Sequence, residues 1–175
     1  MIFDLFKNKK NGRALPDRSI AEIAEAKERL NSELRAAMYL YDNEKFIVCS
    51  ITGITEYGEP IVLDVDTSDE NLGKALCDKL LDFSPKCLDG SNYTLSDWKA
   101  FKASGAKTAR NFENKSVYIY VTTVNAAIII EAAPRTSNEK NLKARCSTTG
   151  KHVQVGADIR KAIKASKALR DAGML

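Results

Sequence analysis

Apolar and polar positions along this chain change period several times, and each change marks an element. From Ser19 the spacing is helical. Ile20, Ile23, Leu30, Leu34 and Met38 fall on one stripe, while Glu22, Glu25, Glu28 and Arg29 lie elsewhere. Ser19 with Glu22 forms a capping box, so the pattern predicts a helix over 19–37. "AMYLYDNEKFIVCSITG" (37–53) then reads as two strands joined at Asp42-Asn43. "EYGEPIVLDVD" (56–66) reads as a turn and a third strand. A helix follows over 67–83, with Leu72, Leu76 and Leu80 on one face and Pro85 ending it. Trp98 and Phe101 share one side of a short helix capped by Ser96 or Thr94 and stopped at Gly105. Residues 107–114 form a turn or a further short helix. Residues 115–134 are the clearest strand pair, turning near Thr123–Asn125. A long polar loop spans 135–150. "KHVQVG" (151–156) reads as a strand, and 158–173 as a basic helix with Ile159, Ile163 and Leu169 as its stripe.

The order of elements suggests an internal duplication, with strands and a helix over 39–83 echoed over 116–172. The expected fold is α+β, with antiparallel sheets, two pseudo-repeated helices and an added N-terminal helix. Residues 1–18 are polar and broken by Gly12 and Pro16, which predicts a flexible arm before a single domain over 19–175.

A chain of 175 residues with 44% apolar and 29% charged side chains is ordinary for one globular domain. No apolar run approaches the ~20 residues that cross a bilayer. The start, "MIFDLFKNKKNGR", places its basic residues after a very short apolar patch, which is not the order of a secretory signal. The expected location is the cytoplasm. Cys49, Cys77, Cys87 and Cys146 include no CxxC pair and read as reduced, structural thiols. With one histidine, His152, a histidine-rich metal site is excluded.

The net charge of +4 conceals a strong asymmetry. Residues 36–98 carry four basic and twelve acidic side chains, whereas residues 99–175 carry fifteen basic and five acidic. The folded protein should present an acidic and a basic region, either of which can steer a charged partner.

The densest acidic stretch is "DVDTSDE" (64–70). Asp64 and Asp66 match a DxD pattern that holds divalent cations in some transferases, and on a strand they share a face. The better-specified reading is a capped helix start: Thr67 with Glu70 as a capping box, and Asp69 and Glu70 in the first turn. "STTGKHV" (147–153) hints at a phosphate loop. It lacks the first glycine, has His152 after Lys151, and reads into a strand instead of a helix. Cys146 and His152 lack a third, orienting residue. No catalytic residue, metal or cofactor is assigned, so an enzyme is the disfavoured class. Tyr118, Tyr120 and Phe112 stand among lysines, as in single-strand nucleic-acid binders, but alternation with Val117, Ile119 and Val121 equally describes a core strand.

Several segments, in order, resemble the immunity proteins of bacterial contact-dependent growth inhibition (CDI) systems, in the branch that neutralises nuclease toxins. They are "FIVCS" (46–50), "TSDENLG" (67–73), Trp98 with Phe101, Gly105-Ala106-Lys107-Thr108, a strand pair ending at Pro134, and the close over 151–172. The resemblance covers about residues 39–172; the helix over 19–37 and the arm have no counterpart in it. It implies a Whirly-like fold and a binding protein without turnover. The implied partner is the C-terminal toxin domain of a large secreted effector, blocked by stoichiometric occlusion. In some such proteins a toxin hairpin adds to a sheet edge. A nuclease toxin is cationic, so the acidic segment is the expected contact, through Glu56, Tyr57 and Glu59 in an exposed turn and Asp69 and Glu70 beyond it. Nucleic acid is the less favoured partner, as for a Whirly-like single-strand binder, and no membrane partner is expected. The apolar stripe of helix 19–37 has two candidate partners, the sheet or a second copy in a homodimer.

Overall fold

The computed structural model describes residues 20–53, 55–85, 94, 97–125, 127–134 and 143–173. The arm predicted over 1–18, the cap at Ser19 and the turn at Asp89-Gly90 lie outside them. The fold is α+β. Among the described residues, six antiparallel strands form one sheet: β1 (Arg35–Tyr41), β2 (Lys45–Thr52), β3 (Thr55–Asp64), β4 (Ser116–Val124), β5 (Ala127–Pro134) and β6 (Ala144–Thr148). The helices are α1 (Ile20–Leu30), α2 (Asp69–Leu81), α3 (Lys99–Ser104), α4 (Ala109–Lys115) and α5 (His152–Asp171).

The strand order is β3-β2-β1-β4-β5-β6. Three strands and α2 are thus followed by three strands and α5, and the two sets meet where β1 pairs with β4. The β1–β2 turn is at Asp42-Asn43 as read, with φ values of 54° and 58°. Two central left-handed residues are what a tight hairpin between twisted strands requires.

Both sheet faces are apolar along the central strands, which is why β1 and β2 read as nearly continuous apolar runs. The inner face carries Met38, Val48, Ile119 and Ile130, all fully buried, beneath α2 and α5. Leu72, Leu76 and Leu80 of α2 and Val155 and Ile159 of α5 close this core, each at 0% exposure. On the outer face the short helices α3 and α4 cover Tyr39.

α2 and α5 pack against each other through two glycines. A Cβ added to Gly73 would lie 2.0 Å from the His152 carbonyl oxygen, and one added to Gly156 would lie 2.0 Å from that of Asp69. Each glycine is the fifth residue of its helix and meets the first residue of the other. The helices therefore run antiparallel and overlap through their N-terminal turns. "DENLG" (69–73) and "HVQVG" (152–156) occupy equivalent positions at the starts of the two helices. This alignment is shifted from one that matches the preceding glycines.

Four sequence expectations change. α1 stops at Leu30 instead of residue 37, because Asn31 turns left-handed (φ 46°). Leu34 leads into β1, which contains Met38, so the apparent stripe spans two elements. The cap of α2 is Ser68, whose hydroxyl accepts from the Asn71 N–H, and not Thr67. α3 begins after Trp98 with no side-chain cap of its own; Thr94 instead bonds to Asp97, and Ser96 lies outside the described residues. Finally, the predicted strand over 151–156 is the start of α5, and the last strand, β6, lies within the predicted polar loop. Val153 and Val155 alternate with polar residues, but only Val155 is buried; it begins the helical series Val155, Ile159, Ala162, Ile163 and Ser166.

Replacing Gly73 or Gly156 with Ala should each cost on the order of 3 kcal/mol, because a backbone carbonyl must move to admit the methyl group. Urea denaturation of the single and double variants tests this. Since both lie in one contact, the double variant should lose less than the sum.

Candidate functional site

The outer face holds an aromatic cluster with one carboxylate inside it. Tyr39 packs against Tyr118, Phe112 and Trp98, with ring centroids 5.2, 5.1 and 6.4 Å apart. Glu56 enters from β3 and is 9% exposed. Its Oε1 accepts the Tyr39 hydroxyl at 2.6 Å and the Trp98 indole N–H at 3.2 Å, and its Oε2 accepts the Ala100 N–H at 2.8 Å. The Ala100 N–H is one of the orphan donors of α3, so Glu56 supplies the cap that the helix lacks locally. The expectation that Glu56 sits in an exposed turn is corrected here. It lies within strand β3, and its charge is consumed in tying an outer helix to the sheet.

The second junction surrounds Asp69. Arg160 of α5 donates to Asp69 Oδ1 at 2.7 Å, to the Val65 carbonyl at 2.9 Å and to the Thr67 carbonyl. The guanidinium also lies 5.2 Å from the centre of the Phe46 ring. One side chain thus fastens the β3–α2 connection to α5. Glu70 faces Lys74 at 3.3 Å and His152 Nδ1 at 3.7 Å. Asp69 and Glu70 remain partly exposed, but both already have partners within the fold.

Tyr57 and Glu59 lie in β3, not in a turn. β3 is an edge strand, and its pairing with β2 shifts register between Val48 and Ser50. Tyr57 pairs with Ser50 and is half-buried; burial, then the nearby Asp82 carboxylate, raises its phenol above the usual range. Glu59 is exposed. Further along the same edge Asp64 and Asp66 are also exposed, as is Val62 at 46%. Glu44 joins them, since its carbonyl accepts the Val65 N–H at 2.7 Å. The acidic surface is therefore the outer rim of β3 with the β1–β2 turn. Of the five residues singled out from sequence, Glu59 is the one most fully on it.

The charge asymmetry acquires a geometry. Residues 35–82, which hold β1–β3 and α2, contain four basic and ten acidic side chains; residues 116–171, which hold β4–β6 and α5, contain ten basic and four acidic. The strand order sets these segments on opposite halves of the sheet, ending in β3 and β6.

The candidate chemistry does not assemble. Burial, followed by the Glu56 charge, drives the Cys49 thiol far above its ordinary range, and burial, followed by Asp78, pushes Cys77 up to about 12. Such thiols stay protonated and unreactive. Cys146 donates to the Asp158 carbonyl at 3.6 Å while His152 faces Glu70, so the two do not form a nucleophilic pair. Among the described residues no three His, Cys, Asp or Glu side chains converge as a metal site. The loop at Gly150 does lead into a helix, contrary to the strand reading, but Lys151 at the N-cap makes no side-chain cap bond. Phe112 is fully buried in the aromatic cluster and cannot stack on a base; Tyr118 and Tyr120 are half-buried on the outer face. No described helix is long and apolar enough to cross a membrane.

No protein-family model matches the chain, and no curated protein matches it in sequence. Solved structures do share its fold. A protein of unknown function from Neisseria meningitidis superposes with a TM-score of 0.56 at 14% identity, over 77% of this chain and 95% of the other. A chain of the CdiA-CT/CdiI toxin and immunity complex from Yersinia pseudotuberculosis superposes with a TM-score of 0.53 at 16% identity, over 75% of this chain and 95% of the other.

Glu56→Ala should destabilise the protein by about 3 kcal/mol, since it removes the carboxylate that accepts from the Tyr39 hydroxyl, the Trp98 indole and the Ala100 N–H. Thermal unfolding followed by Trp98 fluorescence reads both the loss and the altered indole environment. Glu56→Gln keeps an acceptor and should cost less.

Proposed function

We propose that the protein is a cytoplasmic immunity protein that binds and occludes the C-terminal toxin domain of a contact-dependent growth inhibition effector, without turnover. The observation that carries this reading is the match, over nearly the whole of the other chain, to a chain from a toxin and immunity complex. It agrees with the ordered motifs over residues 39–172. The toxin proposed is a nuclease. Its phosphate-binding cleft is cationic, and the acidic rim of β3 has the sign to attract it. Glu59, Asp64, Asp66 and Glu44 present this charge, with Val62 as an apolar contact at its centre. Tyr57 lies on the same strand. Asp69 and Glu70 continue the patch while serving the α2–α5 junction.

Purified protein mixed with the toxin domain encoded immediately upstream should form a one-to-one complex and abolish toxin activity, as measured by calorimetry and a nuclease assay. Co-expression should restore growth of cells that make the toxin. The triple variant Glu59→Lys, Asp64→Lys and Asp66→Lys should slow association roughly tenfold at low salt and flatten its salt dependence. A toxin domain that neither binds nor is inhibited overturns the reading.

A further inference from the structure

Part of the acidic rim stands on a short connection with little packing of its own. Residues 64–68 leave β3 and enter α2, and Asp64, Asp66 and Ser68 are exposed. Val65 is the one apolar side chain among the five. It lines a groove of about 430 Å³ together with Leu40, Phe46 and Ile163, so the connection borders open space on that side. Hydrogen bonds hold it instead. The Val65 N–H donates to the Glu44 carbonyl at 2.7 Å, and the Thr67 N–H to the Asp64 carbonyl at 3.0 Å. Arg160 supplies the rest. Its Nη1 donates to the Val65 carbonyl at 2.9 Å, its Nη2 to the Thr67 carbonyl, and its Nε to Asp69 Oδ1 at 2.7 Å. The two carbonyls flank Asp66, so the guanidinium grips the backbone on both sides of that carboxylate. The buried Phe46 ring, 5.2 Å away, helps to fix the guanidinium in turn.

We infer that Arg160 is a positioning residue for partner recognition, holding Asp64 and Asp66 in one arrangement for a cationic partner. Each of its three side-chain nitrogens already donates within the fold, so Arg160 shapes the surface from behind. Residues 64–70 carry four carboxylates. Left unheld, their mutual repulsion would act on a loose backbone, and the cost of ordering it would fall on binding. Lysine cannot replace this grip, because a single ammonium lacks the planar fork that reaches two carbonyls and a carboxylate together. The cation comes from α5, so the acidic rim of one half of the sheet is set by a side chain of the other half. The role in recognition rests on the inhibitor reading; the hold on residues 65–67 does not.

The test uses the full chain labelled with ¹⁵N. Arg160→Lys keeps the charge without the fork, and Arg160→Gln loses both. In the wild type the Arg160 Nη resonances should be separate, and the amide order parameters of Val65, Asp66 and Thr67 should be about 0.85, like those of β1. Both variants should bring these three amides below about 0.6 while β4 and β5 keep theirs. With the toxin domain encoded upstream, Arg160→Lys should associate at the wild-type rate and dissociate about tenfold faster. Arg160→Gln leaves the rim more negative, so it should associate about twofold faster at low salt and yet form the weaker complex. Loss of stability alone gives neither pattern: Phe112→Leu, in the outer layer, should lower the melting temperature and leave both rate constants unchanged. Averaged Arg160 Nη resonances in the wild type, or rim amides as ordered in the variants as in the wild type, overturn the inference. Disordered rim amides with an unchanged dissociation rate overturn the role in recognition and leave the inhibitor reading standing. If the toxin domain does not bind the wild type, that reading fails and a hexa-arginine peptide decides. It should shift amides between residues 59 and 66 and bind Arg160→Lys about threefold more weakly; equal binding overturns the inference.

Discussion

The reciprocal contact of Gly73 with His152 and of Gly156 with Asp69 is the constraint on which the rest of the molecule depends. It brings two helix backbones to a distance that no side chain can occupy. The sheet alone does not fix how α2 and α5 lie on it, because its inner face is uniformly apolar. The glycine notch does, and Arg160 then locks the arrangement by holding the β3–α2 connection from α5. With α2 and α5 set, β1–β3 and β4–β6 are held as two halves of one sheet and the rims β3 and β6 face apart. The acidic and cationic segments are separated because the strand order puts β3 and β6 at opposite edges of the sheet.

The two polar junctions serve different layers. Arg160 works on the inner side, where a guanidinium can satisfy a carboxylate and two carbonyls at once. Glu56 works on the outer side, where a short helix has neither the length nor the side-chain cap to hold itself in place. Both draw on the acidic composition of residues 36–98. Part of that charge is therefore internal wiring, and the surface that remains for a partner is smaller and more localised than the residue count implies.

Much of the fold was legible from periodicity. The β1–β2 hairpin, α2 with its leucine face and the β4–β5 pair all follow from residues that obey one rule at a time. The failures occur where two rules overlap. Leu34 and Met38 continue the spacing of α1 by coincidence, and only the left-handed Asn31 separates helix from strand. His152 to Val155 alternate like a strand, yet the helical series that starts at Val155 prevails because it packs on α2. The site was less legible, because exposure depends on partners distant in sequence. Glu56 looks like any turn carboxylate until Trp98 and Ala100 are brought to it. The polar run "KARCST" gives no hint that it forms an edge strand.

The opposite charge of the two halves has a consequence for how the chain is built. The boundary between them, at β1 and β4, joins a segment rich in carboxylates to one rich in cations, so each half is attracted to the other before any side chain interlocks. Each half also carries one of the two notch glycines, and neither helix seats fully without the other. Each half by itself is an incomplete sheet with an open edge at β1 or β4 and a helix notch left unfilled, and opposite charge favours the pairing of unlike halves over like ones.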